Sequence, residues 1–303
     1  MSESHKFGFV AIIGPPNAGK STLMNGYLGQ KVAIVTPKAQ TTRNRITGIL
    51  TREDSQVVFI DTPGVHSLRG KMNRFLRETA LTALSSADCV ILMLDAAFYA
   101  SKPHKMEADV ANLVKPVRHS PCPVIIAVNK VDKVKDKAYL LPVLEKAAEL
   151  WPEAHIIPLS AMRGEGREKL LAMALEHLPE GPAMFPEDQV STVPVRFMAA
   201  EIIREKLFMA LSQELPYSTA VEIEQFEEDG SIPHIGAVIY VSKKNHKGMV
   251  IGKAGANLKK VGTQARHDIE ELLGTKVMLE LWVKVREGWP EDAGFLRSIG
   301  LAE

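Results

Sequence analysis

Over positions 1–179, apolar residues come in short blocks separated by longer stretches where they recur at helical spacing. The blocks Phe7–Ile13, Ile46–Leu50, Val57–Ile60, Cys89–Leu94, Val124–Val128 and His155–Leu159 predict strands. Several are continuous apolar runs, as expected of strands covered on both faces of a mostly parallel sheet. Between them, Lys20–Leu28, Met72–Ser85 and Ala138–Leu150 predict helices. Strand–helix alternation of this kind predicts a doubly wound α/β domain.

The pattern then changes. Leu178 to Pro194 holds Pro179, Pro182, Pro186 and Pro194 with few apolar residues, which predicts a linker over 180–194. Beyond it, helical spacing at about Ala199–Leu211 is followed by strands at Thr219–Gln225 and His234–Ser242. Further helices and a last strand at Val277–Val285 complete the chain. The order α-β-β-α-α-β over 195–303 is a smaller α+β domain, distinct from the first.

A length of 303 residues suits two domains, and 46% hydrophobic residues can form two cores. Cys89 and Cys122 are the only cysteines and lie in apolar surroundings, which fits reduced thiols rather than a disulfide framework. Met1 to Lys6 is short and polar, without the pattern of a signal peptide. The most apolar stretch, Cys89–Ala100, is interrupted by Asp95 and is too short to span a bilayer. The expectation is a soluble cytoplasmic protein, read as a monomer.

Chemistry enters where strands end. Gly14-Pro15-Pro16-Asn17-Ala18-Gly19-Lys20-Ser21 fits G-x-x-x-x-G-K-[ST], follows a strand and opens a helix, as that phosphate loop requires. Gly14 and Gly19 let backbone N–H groups turn toward phosphates, helped by the positive end of the helix that Ser21 and Thr22 open. Lys20 supplies charge to the outer phosphates, and the Ser21 hydroxyl can ligate Mg²⁺. Asp61-Thr62-Pro63-Gly64 ends a strand, so Asp61 faces the ligand crevice and can hold Mg²⁺ through water, while the Gly64 N–H can contact a terminal phosphate. The polar segment Pro37–Arg45 offers a threonine to complete Mg²⁺ coordination. Thr42 is preferred to Thr41, which the sequence barely separates from it.

Asn129-Lys130-Val131-Asp132 ends another buried strand. Asp132 can accept hydrogen bonds from guanine N1–H and its exocyclic amine, donors that adenine lacks. Lys130 can lie along the base and Asn129 can tie this loop to the phosphate loop. Ser160-Ala161 places N–H groups near the guanine oxygen. Together these imply a GTP site. The residue after Asp-x-x-Gly is Val65, where Ras-like enzymes use a water-orienting glutamine, so Lys20, Thr42 and Gly64 are left as the catalytic set and turnover is expected to be slow. His66 is read as a surface residue. Asn17 suggests a K⁺ held near the phosphates in place of an arginine finger.

The net charge of +1 hides a local imbalance. From Ser242 to Arg266 the charged residues are Lys243, Lys244, Lys247, Lys253, Lys259, Lys260 and Arg266, with no carboxylate, whereas Glu222, Glu224, Glu227, Glu228 and Asp229 precede them. A basic face of this kind suits a phosphate-backbone ligand. Within it, Val250-Ile251-Gly252-Lys253-Ala254-Gly255 reads as the G-x-x-G loop of a type II KH domain, with Ile251 and Leu258 as an apolar floor for splayed bases. A lipid-binding scaffold would use the same charge but does not require this loop. A GTP-dependent RNA-modifying enzyme would need a second catalytic centre, and no metal-spaced His/Cys cluster suggests one.

P-P-N-A-G-K-S, Q-T-T-R (Gln40 to Arg43), D-T-P-G-V, N-K-V-D and S-A, joined through a linker to a KH domain, resemble the bacterial Era GTPases over nearly the whole chain. In that family a hydrophobic residue follows D-T-P-G, as Val65 does here. The resemblance implies a P-loop GTPase that binds the 3′ region of small-subunit (16S) rRNA and assists assembly of the small ribosomal subunit. It also implies loose inner-membrane association in some members.

Overall fold

The computed structural model describes residues 5–38, 41–65, 70–213, 215–228 and 232–301. Gln40, His66 and Asp229 lie outside them. The chain divides into two compact units, one ending at Thr192 and the next starting at Val193.

The first unit runs β1 (Lys6–Ile13), α1 (Lys20–Leu28), β2 (Ile46–Thr51), β3 (Ser55–Asp61), α2 (Lys71–Ser85), β4 (Cys89–Asp95), α3 (Ala96–Ser101), α4 (Met106–Arg118), β5 (Val124–Asn129), α5 (Leu141–Leu150), β6 (His155–Leu159) and α6 (Arg167–Glu176). Its strands form one sheet in the order β2-β3-β1-β4-β5-β6, parallel except for the β2–β3 pair. All seven residues of β3 are buried; Val57–Ile60 is the continuous apolar run expected of a strand covered on both faces, and the polar Ser55, Gln56 and Asp61 flank it. The strand order reverses between β3 and β4 around β1, which makes the end of β1 a topological switch point.

The predicted helix over Ala138–Leu150 is a 3-10 turn at Lys137–Leu140 followed by α5. Pro142 lies in the first turn of α5, where its missing N–H costs nothing. Helices α3, α4 and α6 were not predicted: α3 is six residues long, and α4 carries Pro116. The segment expected as a linker also differs. Gly181 N–H donates to His5 O at 2.9 Å, Gln56 Oε1 accepts from Met184 and Phe185 N–H at 2.8 and 2.9 Å, and Ile49 N–H donates to Val190 O at 2.8 Å. Prolines prevented a regular element here, but the backbone groups between them found partners on β1, β2 and β3. Residues 180–192 therefore belong to the first unit.

The second unit holds α7 (Val195–Ala210), β7 (Thr219–Glu227), β8 (His234–Val241), α8 (Lys244–Ile251), α9 (Ala256–Leu273), β9 (Met278–Val285) and α10 (Ala293–Ser298). Central β8 pairs antiparallel with β7 and parallel with β9. Ile203, Leu207, Ile235, Ile239, Val261 and Ile269 form the core between sheet and helices. Helix α10 follows the predicted order and is started by Asp292, whose carboxylate accepts from Phe295 N–H at 3.0 Å. Among the described residues, no helix is long and apolar enough to cross a membrane.

Candidate nucleotide site and nucleic-acid loop

Parallel pairing sends the C-terminal ends of β1, β3, β4 and β5 to one edge of the sheet, and the first unit's polar motifs collect there. The loop after β1 needs its glycines. Gly14 has φ 146°, and a Cβ on it would lie 2.3 Å from the Met93 carbonyl oxygen. Gly19 has φ 100°, and a Cβ there would lie 2.2 Å from Asn129 Nδ2. The loop is thus pressed onto β4 and the end of β5, with Asn17 also left-handed at φ 61°.

Lys20 is buried, and its ammonium donates to the carbonyls of Gly14 (3.2 Å) and Pro15 (3.0 Å). Burial lowers its pKa to about 8, against the opposing pull of Asp61. Asp61 is fully buried, which raises its carboxyl pKa to about 6 despite the nearby Lys20. Its Oδ2 accepts from Ser21 Oγ at 2.5 Å and Thr42 Oγ1 at 3.5 Å, and the two hydroxyls are 2.9 Å apart. Asp61 Oδ1 is buried with no well-formed hydrogen bond. A carboxylate with a free oxygen beside two hydroxyls is an oxygen donor set that fits a hard divalent cation. The same geometry separates the two threonines. Thr41 Oγ1 instead donates to Lys38 O at 2.7 Å and lies 2.6 Å from Thr36 Oγ1.

Gly64 packs on the loop so tightly that a Cβ would lie 2.7 Å from Pro16 Cα. The next N–H, of Val65, donates to Gly14 O at 3.1 Å. The Val65 side chain is 1% exposed and packs in the core with Ile13 and Tyr99, so where it borders the cleft it offers only an apolar surface and no hydrogen-bonding group. The cleft itself measures about 760 Å³ and is lined by Asn17, Lys20, Ser21, Thr22, Thr42 and Lys130 among others, a size typical of small-molecule sites.

At the other end of the cleft, Asn129 Nδ2 donates to Ala18 O at 2.7 Å and Asn129 Oδ1 accepts from Ala161 N–H at 2.9 Å. One side chain thereby ties three loops together. Lys130, left-handed at φ 67°, donates to Asn17 O and to Asp95 Oδ2, both at 2.5 Å. Asp132 Oδ1 accepts from Ser160 Oγ at 2.6 Å, and Arg163 Nε lies 3.9 Å from Asp132 Oδ2. Asp95 and Arg163 were not assigned from the sequence. Asp95 had a readable signal, an acidic residue closing a buried parallel strand at the crevice edge; Arg163 had none.

In the second unit, Gly252 ends α8 with φ 75° and ψ 175°, and a Cβ on it would lie 2.8 Å from Asn257 Cγ. Asn257 Nδ2 donates to Met249 O at 3.0 Å, so this side chain ties the end of α8 to the start of α9. Ala254 and Gly255 are also left-handed, at φ 49° and 77°. Lys253, Lys259 and Lys260 are exposed around the turn, while Ile251 and Leu258 are half-buried against the core.

Comparison with known proteins agrees with this geometry. Residues 9–130 match the family described as 50S ribosome-binding GTPase, and residues 214–290 match the KH domain family. The chain is 56% identical to the GTPase Era of Nitratidesulfovibrio vulgaris (strain DP4), covering 99% of this chain and 98% of that protein. It belongs to the Era GTPase family. The Era of Ectopseudomonas mendocina is 45% identical, over 97% of this chain and 96% of that one. Two solved Era structures, each 38% identical, superpose with TM-scores of 0.90 and 0.91. The first is an Aquifex aeolicus Era variant bound to GDP·AlF4⁻, covering 98% of this chain and 100% of its own. The second is an Era in complex with MgGDPNP and nucleotides 1506–1542 of 16S ribosomal RNA, covering 99% and 100%. This Era-family protein is a GTPase with a C-terminal KH domain.

Proposed function

We propose that the protein is a GTP-driven switch whose KH domain binds the 3′ region of small-subunit rRNA and which assists assembly of the small ribosomal subunit. The observation that carries this reading is the Gly252–Gly255 turn, with its exposed lysines, in the same chain as a complete guanine-nucleotide cleft. The Era–16S rRNA complex supports it by likeness over the full chain. On this reading residues 1–192 are the GTPase domain, and 195–303 the RNA-binding domain.

In the cleft, N–H groups from Gly14 to Thr22 and the Lys20 ammonium hold the phosphates. Ser21, Thr42 and Asp61 hold Mg²⁺, which supplies neutralisation of phosphate charge when bound. Gly64 N–H meets the terminal phosphate. Asp132 reads the guanine edge, held by Ser160, while Asn129 and Lys130 brace the base loop against the phosphate loop, and Ala161 N–H faces the guanine oxygen. No side chain at position 65 orients the attacking water, so hydrolysis is slow and acts as a timer. Asn17 helps to hold K⁺ beside the phosphates; equal hydrolysis in Na⁺ and K⁺ would remove that assignment. Ile251, Gly252, Lys253, Ala254, Gly255, Lys259 and Lys260 clamp the RNA backbone.

The test is to crosslink RNA to the GTP-bound and GDP-bound protein and sequence what is recovered, with Gly252→Asp as control. Enrichment of the 3′ end of small-subunit rRNA in one nucleotide state, lost in the variant, is expected. Equal recovery of unrelated RNAs in both states refutes the switch.

A further inference from the structure

The sheet of the second unit has one face against α7, α8 and α9, and a second face that the RNA reading leaves unused. Pairing register defines that second face. His234 stands opposite Glu227 and Met278, Gly236 opposite Gln225 and Glu280, Val238 opposite Glu222 and Trp282, and Tyr240 opposite Lys284.

At one end α10 covers it. Phe295 meets Tyr240 edge-on at 4.9 Å, the Arg286 guanidinium lies over the Phe295 ring at 4.1 Å, and Arg286 also pairs with Asp292 at 2.8 Å. A cation, an aromatic ring and a carboxylate thus meet within the chain.

At the other end the ring and the carboxylates recur without that cation. Trp282 is 43% exposed, and its ring reaches over Gly236, where a Cβ would lie 3.1 Å from ring Cζ3. Glu222, Glu227 and Glu280 stand on the same face. The basic groups there are Lys284, engaged with Glu224 at 2.7 Å, and His234, 3.6 Å from Glu280. A glycine in a central strand beside an exposed tryptophan leaves room for close approach of a ligand, and tryptophan is the best cation-binding ring. The excess of carboxylates repels phosphate, so nucleic acid is disfavoured on this face.

We propose that this face docks a basic polypeptide segment, an arginine or lysine of which stacks on Trp282 beside Glu222 and Glu280. The site is separate from the Gly252–Gly255 turn, and it stands whether or not that turn binds RNA.

Trp151 and Trp289 are buried, so Trp282 is the tryptophan a surface ligand can reach. A short peptide of arginine and lysine, titrated into the full-length protein with GTP present, should change tryptophan fluorescence saturably. A glutamate peptide of equal length should not. Trp282→Ala should weaken peptide binding at least about fivefold. Glu280→Lys should weaken it further, each with unchanged thermal unfolding and unchanged GTP affinity. Peptide affinity equal to wild type in both variants would overturn the proposal, because attraction would then be diffuse. Loss of RNA rather than peptide binding in Trp282→Ala would overturn it in favour of a nucleic-acid surface.

Discussion

The nucleotide cleft and the Gly252–Gly255 turn both depend on glycines with left-handed backbone, which the proposed function uses to bring backbone close to a phosphate ligand, yet they are built differently. In the cleft the polar groups come from the ends of separate strands and are buried; Lys20, Asp61, Thr42 and Asn129 are each no more than 6% exposed. Asp61, Thr42 and Asn129 have partners on other loops and Lys20 is held by carbonyls of its own loop, so each group is positioned before a ligand arrives. In the KH turn the basic residues are neighbours in sequence and stand in solvent, with the Asn257 side chain and local backbone hydrogen bonds bracing the loop. Buried charges act in a low dielectric and are costly to misplace, whereas exposed lysines are screened by salt and individually replaceable. The lesson is that one site is fixed by tertiary packing and the other by local composition.

Breaking that contrast should give graded effects. The largest is expected from Lys20→Ala, which removes the buried charge facing the phosphates. Single-turnover hydrolysis at saturating GTP should fall by roughly 10²–10³-fold, and a loss below about threefold would deny Lys20 a catalytic role. Asp132→Asn comes next. Exchanging an acceptor for a donor at the guanine edge should weaken GTP about 10–100-fold and improve xanthosine triphosphate, measured by nucleotide competition. Gly252→Asp places a side chain against Asn257 and a negative charge at the turn. RNA affinity should drop at least about tenfold in a filter-binding assay while GTP affinity holds.

Smaller effects sharpen the comparison. Asp95→Asn takes the charge from the partner of Lys130, and a loss of about three- to tenfold in GTP affinity is expected, with no change in RNA binding. Lys259→Ala should cost only about threefold in RNA affinity and lower the slope of log affinity against log salt by about one. If Lys259→Ala instead cost as much as Lys20→Ala, the view of the KH turn as a screened, distributed surface would fail.

Much of this was legible in the residues. The strands announced themselves as apolar runs, and the three nucleotide motifs fell at strand ends in the order a doubly wound sheet requires. Less legible was the segment 180–192. Its prolines read as a break, whereas its backbone pairs with β1–β3 through contacts far apart in sequence. Helix α10 was also missed, since six residues give too little periodicity to detect. The choice between Thr41 and Thr42 illustrates the same limit. Adjacent threonines are chemically identical, and only the path of the loop sends one hydroxyl to Asp61 and the other to Thr36.

What the sequence determined by itself was therefore the two-domain α/β and KH organisation, the nucleotide chemistry and the basic turn. Each is written in contiguous residues whose types and spacing carry the physics. Tertiary structure alone decided which threonine joins Ser21 and Asp61, that Asp95 secures Lys130, that Val65 packs into the core, and that Trp282 shares a face with Glu222 and Glu280. Those are juxtapositions across strands and loops, and register and chain path set them; no local pattern encodes them.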